Sequence, residues 1–303
     1  MTNVSVITAI VPCAGLASRL KMHQKPGLYA KELLPIAYKI NPKTREAFPV
    51  PVIHSSLEII REAGISRCII VTSGRKPELA AYLGDGSDFE MSFAYVRQDE
   101  PLGLADAVNR GCLWSEDGIT CVVLPDTIVR PKDALCVLLR DLQAGAADVI
   151  LGVFPTDIPE QLGPVDLGED GVVRQVLEKP KYTGLRNTWG MAVWRSRFSR
   201  WMGDELARID ATEKRTLSMG DIFDLAIAHG MRVEGRFFPD GKYLDTGTPS
   251  GFGVLFERLR DSTTVLPMFL REPDGAGERT LVDHDGRGPN SDLQPELSLR
   301  DGR

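Results

Sequence analysis

Val4-Ser5-Val6-Ile7-Thr8-Ala9-Ile10-Val11 runs directly into Pro12-Cys13-Ala14-Gly15-Leu16-Ala17-Ser18-Arg19-Leu20. The first of these segments is a nearly continuous apolar run, which predicts a fully buried parallel strand over Val4–Val11. The small residues Ala14, Gly15, Ala17 and Ser18 then predict a tight turn. Short side chains let backbone N–H groups approach an anion closely, and a cradle of such groups suits phosphate. Arg19 and Lys31 place positive charge near the same strand end. Strand, turn and cations are consistent with a triphosphate site, and also with the plain turn that any strand-to-helix unit needs. A dinucleotide fingerprint fits less well. It requires Gly-x-Gly-x-x-Gly, and only Gly15 is glycine here.

Apolar β-branched runs at Val4–Val11, Cys68–Thr72, Met91–Val96 and Thr120–Leu124 alternate with helical patterns at Ile53–Ala63, Pro77–Leu83 and Leu104–Leu113. Such alternation predicts an α/β fold with a mostly parallel sheet, whose ligands bind at the carboxyl ends of the strands. Strands are expected at Asp148–Phe154, Gly171–Leu177, Thr188–Trp194 and Met231–Phe238, and helices at Arg197–Arg208, Gly220–His229 and Ser250–Arg260. The polar excursion at residues 37–50 predicts a surface hairpin or flap. Residues 272–303 are rich in Gly, Asp, Glu, Pro and Arg, which predicts one domain over residues 1–261 and a largely disordered extension over 262–303.

Composition narrows the function classes. With 303 residues, 43% of them hydrophobic and 26% charged, the chain reads as an ordinary soluble globular enzyme. A formal net charge of −6 argues against a nucleic-acid binder working through a basic face. No run approaches the roughly 18 apolar residues of a membrane span, and no signal peptide is expected, so the predicted location is cytoplasmic. Five cysteines without a Cys-x-x-Cys pair predict reduced core residues rather than a disulfide or zinc framework. The four histidines show no ligand spacing.

Four further segments bear on chemistry. Val122-Val123-Leu124-Pro125-Asp126 puts a carboxylate at the end of a buried strand, where it is either an early helix cap or a functional group. Tyr243-Leu244-Asp245-Thr246-Gly247-Thr248-Pro249 supplies a second carboxylate, in a turn where Thr248 would cap a helix opening at Pro249. Gln98-Asp99-Glu100-Pro101-Leu102-Gly103-Leu104-Ala105 joins an amide to a glycine ahead of a helix. Val176-Leu177-Glu178-Lys179-Pro180 alone would be a strand-end turn.

Taken together, Ala14-Gly15-Leu16-Ala17-Ser18-Arg19-Leu20 and Lys31-Glu32-Leu33-Leu34-Pro35-Ile36 resemble the signature of the sugar-1-phosphate nucleotidylyltransferases, in particular the glucose-1-phosphate thymidylyltransferases and the UTP–glucose-1-phosphate uridylyltransferases. Five segments in the family order carry the resemblance across residues 4–260. The chain departs from the pattern in having Ala17 and Ser18 for the usual Gly and Thr, and Ala30 for the proline before the lysine. The resemblance implies a Rossmann-like three-layer nucleotide-diphospho-sugar transferase fold. It implies transfer of a nucleotidyl group from dTTP or UTP to a sugar 1-phosphate, with glucose 1-phosphate the expected sugar and pyrophosphate released.

The same resemblance implies roles for residues. Arg19, Lys31 and Lys179 would be catalytic, and Asp126 and Asp245 would hold Mg²⁺. Ala14, Gly15, Leu16, Ala17, Ser18, Gln98 and Gly103 would bind the nucleotide. Gly163, Glu178, Trp189 and Gly190 would line the sugar site. The expected partners are the nucleoside triphosphate and the sugar phosphate, with no nucleic acid or membrane, and a homo-oligomer is compatible with the sequence. The alternative on the same fold is a catalytically silent nucleotide-sugar-binding regulatory protein. A nicotinamide-dependent oxidoreductase would rest on the parallel sheet alone.

Overall fold

The computed structural model describes residues 6–17, 20, 30–40, 44–115, 117–212 and 216–261. Ser18, Arg19, His23, His284 and the extension over 262–303 lie outside these described residues. A central seven-stranded sheet has the order β12-β8-β11-β6-β1-β4-β5, formed by β1 (Ile7–Pro12), β4 (Arg67–Thr72), β5 (Ser92–Arg97), β6 (Ile119–Val123), β8 (Val149–Pro155), β11 (Asn187–Arg195) and β12 (Val233–Phe237). Four of its pairings are parallel, and β11 runs antiparallel to both β6 and β8.

The alternation that predicts buried strands also explains the layering. Along β1, Ala9 and Val11 face one side of the sheet and Ile10 the other, and all three are fully buried. Helices α1 (Ile53–Glu62), α2 (Pro77–Leu83) and α4 (Ala134–Ala144) cover the first face. Helices α3 (Gly103–Cys112), α5 (Ser196–Thr212) and α6 (Met219–Ala228) cover the second. The result is a three-layer α/β architecture. All five cysteines are free, four of them buried in these layers. Among the described residues, no helix is long and apolar enough to cross a membrane.

Several expectations shift by a few residues. The strand predicted from Val4 is described from Ile7, and that predicted through Leu124 ends at Val123, so Asp126 stands in the connection beyond β6. The polar excursion is a two-stranded antiparallel hairpin of β2 (Pro35–Ile40) and β3 (Ala47–Pro51). Three short strands escape sequence reading: β7 (Thr127–Arg130), β9 (Val165–Leu167) and β13 (Lys242–Asp245). β9 pairs antiparallel with β10 (Val173–Val176), and β7 with β13. At the end of the described chain, Pro249 opens α7 (Pro249–Asp261), and the Thr248 hydroxyl accepts from Gly251 N–H at 3.1 Å, the expected helix cap.

Among the described residues, the turn after β1 has one strained position. Ala17 has φ of 52°, in the left-handed region that glycine occupies without steric cost. Substituting Ala17→Gly is expected to raise stability by about 0.5–1 kcal/mol. Urea unfolding checks it: a lower midpoint in the variant contradicts the strain.

Candidate active site

The loops at the carboxyl ends of β1, β5 and β6 open onto a cavity of about 560 Å³. This is where ligands bind on open parallel sheets. Ala14, Gly15 and Leu16 line it from the β1 loop, Gln98, Pro101, Gly103 and Leu104 from the β5–α3 connection, and Asp126 and Thr127 from the turn after β6. Lys31, Glu178, Lys179, Tyr243 and Asp245 complete much of the remaining wall.

The two carboxylates, far apart in sequence, meet through the β7–β13 ladder. Thr127 pairs with Asp245 in that ladder, and Asp126 immediately precedes Thr127. The Asp126 carbonyl accepts from Thr246 N–H at 2.9 Å and from the Thr246 hydroxyl at 2.8 Å, which locks the two turns together. Asp126 and Asp245 are both buried. Gly247 shows how tightly they converge. A Cβ built there would overlap Asp126 Oδ2 and lie 2.9 Å from Asp245 Oδ1 and 3.3 Å from Lys31 Nζ. The absent side chain at residue 247 therefore leaves room for three charged groups.

Lys31 sits on a single 3₁₀ turn, Lys31–Leu33, and its ammonium is paired with the Asp126 carboxylate. Burial opposes that charge, but the neighbouring Asp126, Glu32 and Asp245 outweigh it and hold the lysine pKa above its ordinary value. Lys31 is thus a fixed cation at neutral pH. Two carboxylates supplying only oxygen donors fit a hard divalent cation such as Mg²⁺, although no cluster of three or more acidic, histidine or cysteine side chains occurs among the described residues.

Behind the cavity lies a buried ion pair that the sequence does not announce. Lys76 Nζ donates to Cys13 O at 2.6 Å and to both Glu32 oxygens at 2.9 and 3.0 Å. Glu78 Oε1 accepts from Ala30 N–H at 2.9 Å. The start of α2 therefore grips the end of β1 and the turn that carries Lys31. Burial raises the Glu32 pKa, while Lys76 and then Lys31 act against that shift.

Gln98 is buried, and its Nε2 donates to Gly103 O at 3.0 Å and to Asp106 Oδ2 at 2.7 Å. Both partners can only accept, so the network fixes the amide orientation and leaves Oε1 as the unused acceptor. Gly103 has φ of 95°, and a Cβ on it would overlap Thr216 and lie 2.8 Å from Leu217 O. Glycine is thus required both by the backbone conformation and by the close approach of the segment before α6. That segment was missed in the sequence. Thr216, Leu217, Ser218 and Asp221 line the cavity, and Ser218 and Asp221 form a reciprocal capping box at the start of α6. A Ser-x-x-Asp spacing before an apolar helix was the available signal.

The other expected sugar-side residues are placed differently. Lys179 has φ of 46° and pairs with Glu178 at the cavity wall, where its side chain is half exposed. Gly163, Trp189 and Gly190 do not line the cavity. Trp189 is buried edge-on against Phe223, and a Cβ on Gly163 would lie 2.5 Å from the Trp189 ring nitrogen. At Gly190 a Cβ would lie 2.7 Å from the Tyr243 ring, so this glycine makes room for an aromatic that does reach the cavity. Ala17 also lies outside the cavity lining, and Ser18 and Arg19 are outside the described residues.

The chain belongs to the nucleotidyl transferase family, whose model matches residues 27–262. The low-salt glycan biosynthesis nucleotidyltransferase Agl11 of Haloferax volcanii is similar at 27% identity over 238 residues, covering 78% of this chain and 61% of that protein. A glucose-1-phosphate thymidylyltransferase of Streptomyces griseus is 32% identical over 176 residues, or 57% of this chain and 45% of its own length. This chain thus spans less than two thirds of the length of either relative. Among solved structures, the UTP-bound UGPase of Acinetobacter baumannii superposes with a TM-score of 0.63 at 19% identity, covering 86% of this chain and 95% of that one. At that identity the likeness shows the fold.

The buried Lys76–Glu32 pair generates a stability prediction. Lys76→Met leaves Glu32 buried without its partner and should cost about 3–5 kcal/mol. The double variant Lys76→Met/Glu32→Leu should recover much of that loss, because no charge is then stranded. Denaturant unfolding of the two variants decides the point, and a double variant no better than the single contradicts the pairing.

Proposed function

We propose that the protein transfers the nucleotidyl group of dTTP or UTP to a sugar 1-phosphate, with glucose 1-phosphate the first candidate, and releases pyrophosphate. The observation that carries this reading is the convergence of Asp126, Asp245 and Lys31 over Gly247, at the floor of a cavity that also takes in Gln98 and Lys179. The sugar phosphate oxygen is already anionic, so in-line attack on the α-phosphorus needs no general base. Catalysis is then positioning and charge stabilisation.

Each residue of the cavity has work of that kind. Lys31, charged and fixed, would hold the α-phosphate. Lys179 would hold the sugar phosphate against the repulsion of the first. Arg19 is assigned to the departing pyrophosphate from its place in the loop sequence. Asp126 and Asp245 would hold Mg²⁺, which when bound would add positive charge at the phosphates. Glu178, with Asp221 nearby on the cavity wall, offers acceptors to sugar hydroxyls.

Gln98 supports the choice of base. Its nitrogen is committed to Gly103 and Asp106, so the cavity is offered the oxygen, an acceptor. Uracil and thymine carry a ring N–H that can donate to it, whereas the corresponding nitrogen of cytosine or adenine is itself an acceptor. Two of the similar proteins fit this choice by name, one a thymidylyltransferase and one bound to UTP.

A pyrophosphate-release panel crossing dTTP, UTP, CTP, ATP and GTP with several sugar 1-phosphates, in the presence of Mg²⁺, tests the reading. Turnover is expected with dTTP and UTP within about tenfold of each other, since one methyl contact discriminates weakly. Turnover should be at least about a hundredfold lower with CTP and ATP, where Gln98 faces an acceptor. Binding without turnover across the panel would favour the silent regulatory alternative instead.

A further inference from the structure

We propose that Asp106 determines which base the site accepts, as the positioning residue for Gln98, a role that rests on the nucleotidyl-transfer reading above. Gln98 lines the cavity and Asp106 does not. Any influence of Asp106 on a bound base therefore passes through the Gln98 amide, to which it is hydrogen-bonded.

The Gln98 side chain starts from a fixed point. Its backbone N–H donates to Thr72 O at 2.8 Å, at the end of β4, and the residue is 4% exposed. From there the amide has two orientations that fill the same space. They differ in which end, donor or acceptor, faces the cavity. The neighbouring groups decide between them. Gly103 O and Asp106 Oδ2 both accept from Nε2. Inverting the amide would exchange both bonds for contacts between oxygens, with nothing donated in return.

The two anchors are unequal. Gly103 O is a neutral carbonyl at 3.0 Å, and at the head of α3 it also serves the helix ladder. Asp106 Oδ2 lies at 2.7 Å and belongs to an ion pair, which makes it the stronger acceptor. Arg110, one helical turn further on, holds that oxygen in place by donating from Nε at 2.6 Å. Gln98 and Arg110 thus converge on one atom of Asp106. A carboxylate that serves two donors cannot turn to suit an inverted amide.

Base choice follows from that restraint. With Asp106 in place, Nε2 is occupied and Oε1 is left for the base, where it suits the ring N–H of uracil or thymine. Without Asp106, one bond rather than two opposes inversion of the amide. The inverted form offers a donor to the acceptor nitrogen of cytosine, and its population rises. Asp106 therefore works against the wrong base more than it works for the right one.

Turnover of UTP and CTP by the full chain, with glucose 1-phosphate and Mg²⁺, tests the proposal, alongside calorimetric titration of each nucleotide alone. Asp106→Ala should lower the UTP-to-CTP ratio of kcat/KM by at least about tenfold. It should do so chiefly by raising the value for CTP, a gain that damage to the fold does not produce. Asp106→Asn keeps an acceptor oxygen for Arg110 to orient and should hold the ratio within about threefold of wild type. In a Gln98→Ala background, Asp106→Ala should leave the ratio unchanged, because no amide remains to be positioned. Melting temperatures check that each variant is folded. An unchanged ratio in Asp106→Ala, or equal losses for both nucleotides, overturns the proposal and leaves the transfer reading standing. So does a ratio that Asp106→Ala still shifts in the Gln98→Ala background. If the chain binds both nucleotides and turns over neither, the transfer reading fails, and the ratio of affinities decides the proposal by the same criteria. A wild type that treats UTP and CTP alike refutes the base choice and this proposal together.

Discussion

The structure of the site depends on one constraint: two buried carboxylates must share a small volume without driving each other apart. Close carboxylates repel, and in a poorly solvated site that repulsion is large. Lys31 relieves it by placing a permanently charged ammonium against Asp126. Gly247 relieves it sterically, because any side chain there would collide with an aspartate oxygen. The β7–β13 ladder then holds the two turns in register, and Thr246 ties its own turn to the Asp126 carbonyl twice. Ladder, ammonium and glycine together hold the two carboxylates at one point.

Lys31 meets that constraint only if its own backbone is fixed. It stands on a single turn with no side-chain cap. Its rigidity comes from behind, where Lys76 bonds Glu32 and Cys13, and Glu78 bonds the Ala30 N–H. Such a buried pair contributes little net stability compared with an apolar replacement, but it specifies position. Here it sets the distance between the loop that follows β1 and the turn that carries Lys31. Chemistry that works by positioning requires that kind of support.

Much of the fold was legible in the sequence because its central strands are buried on both faces. Long apolar runs such as those around Ile10, Ile70 and Val122 leave few alternatives. The short strands β7, β9 and β13 were not legible. Four residues such as Thr127–Arg130 carry no periodicity, and their pairing exists only once Asp126 and Asp245 have met. The site was legible as segments in order but not as geometry. Trp189 illustrates the limit: just before Gly190, in a segment that resembles a sugar-lining strand, it reads as a pocket aromatic, yet its ring is buried against Phe223. On a strand between two core layers, burial of a large apolar surface decides where an indole points. Lys76 and Glu32 illustrate the converse, since charged residues in exposed-looking turns give no sign that they will be buried together.

The central claim is that Asp126 and Asp245 act as one unit with Lys31. The most direct test is a double-mutant cycle on pyrophosphate release, using Asp126→Asn, Asp245→Asn and the combined variant, each checked for folding by its melting temperature. If the carboxylates serve one point in space, each single variant should lose about two orders of magnitude in turnover, and the double should be little worse than either. Losses that multiply in the double variant, or an Asp245→Asn protein with full turnover, would show that the two carboxylates act separately and would contradict the account.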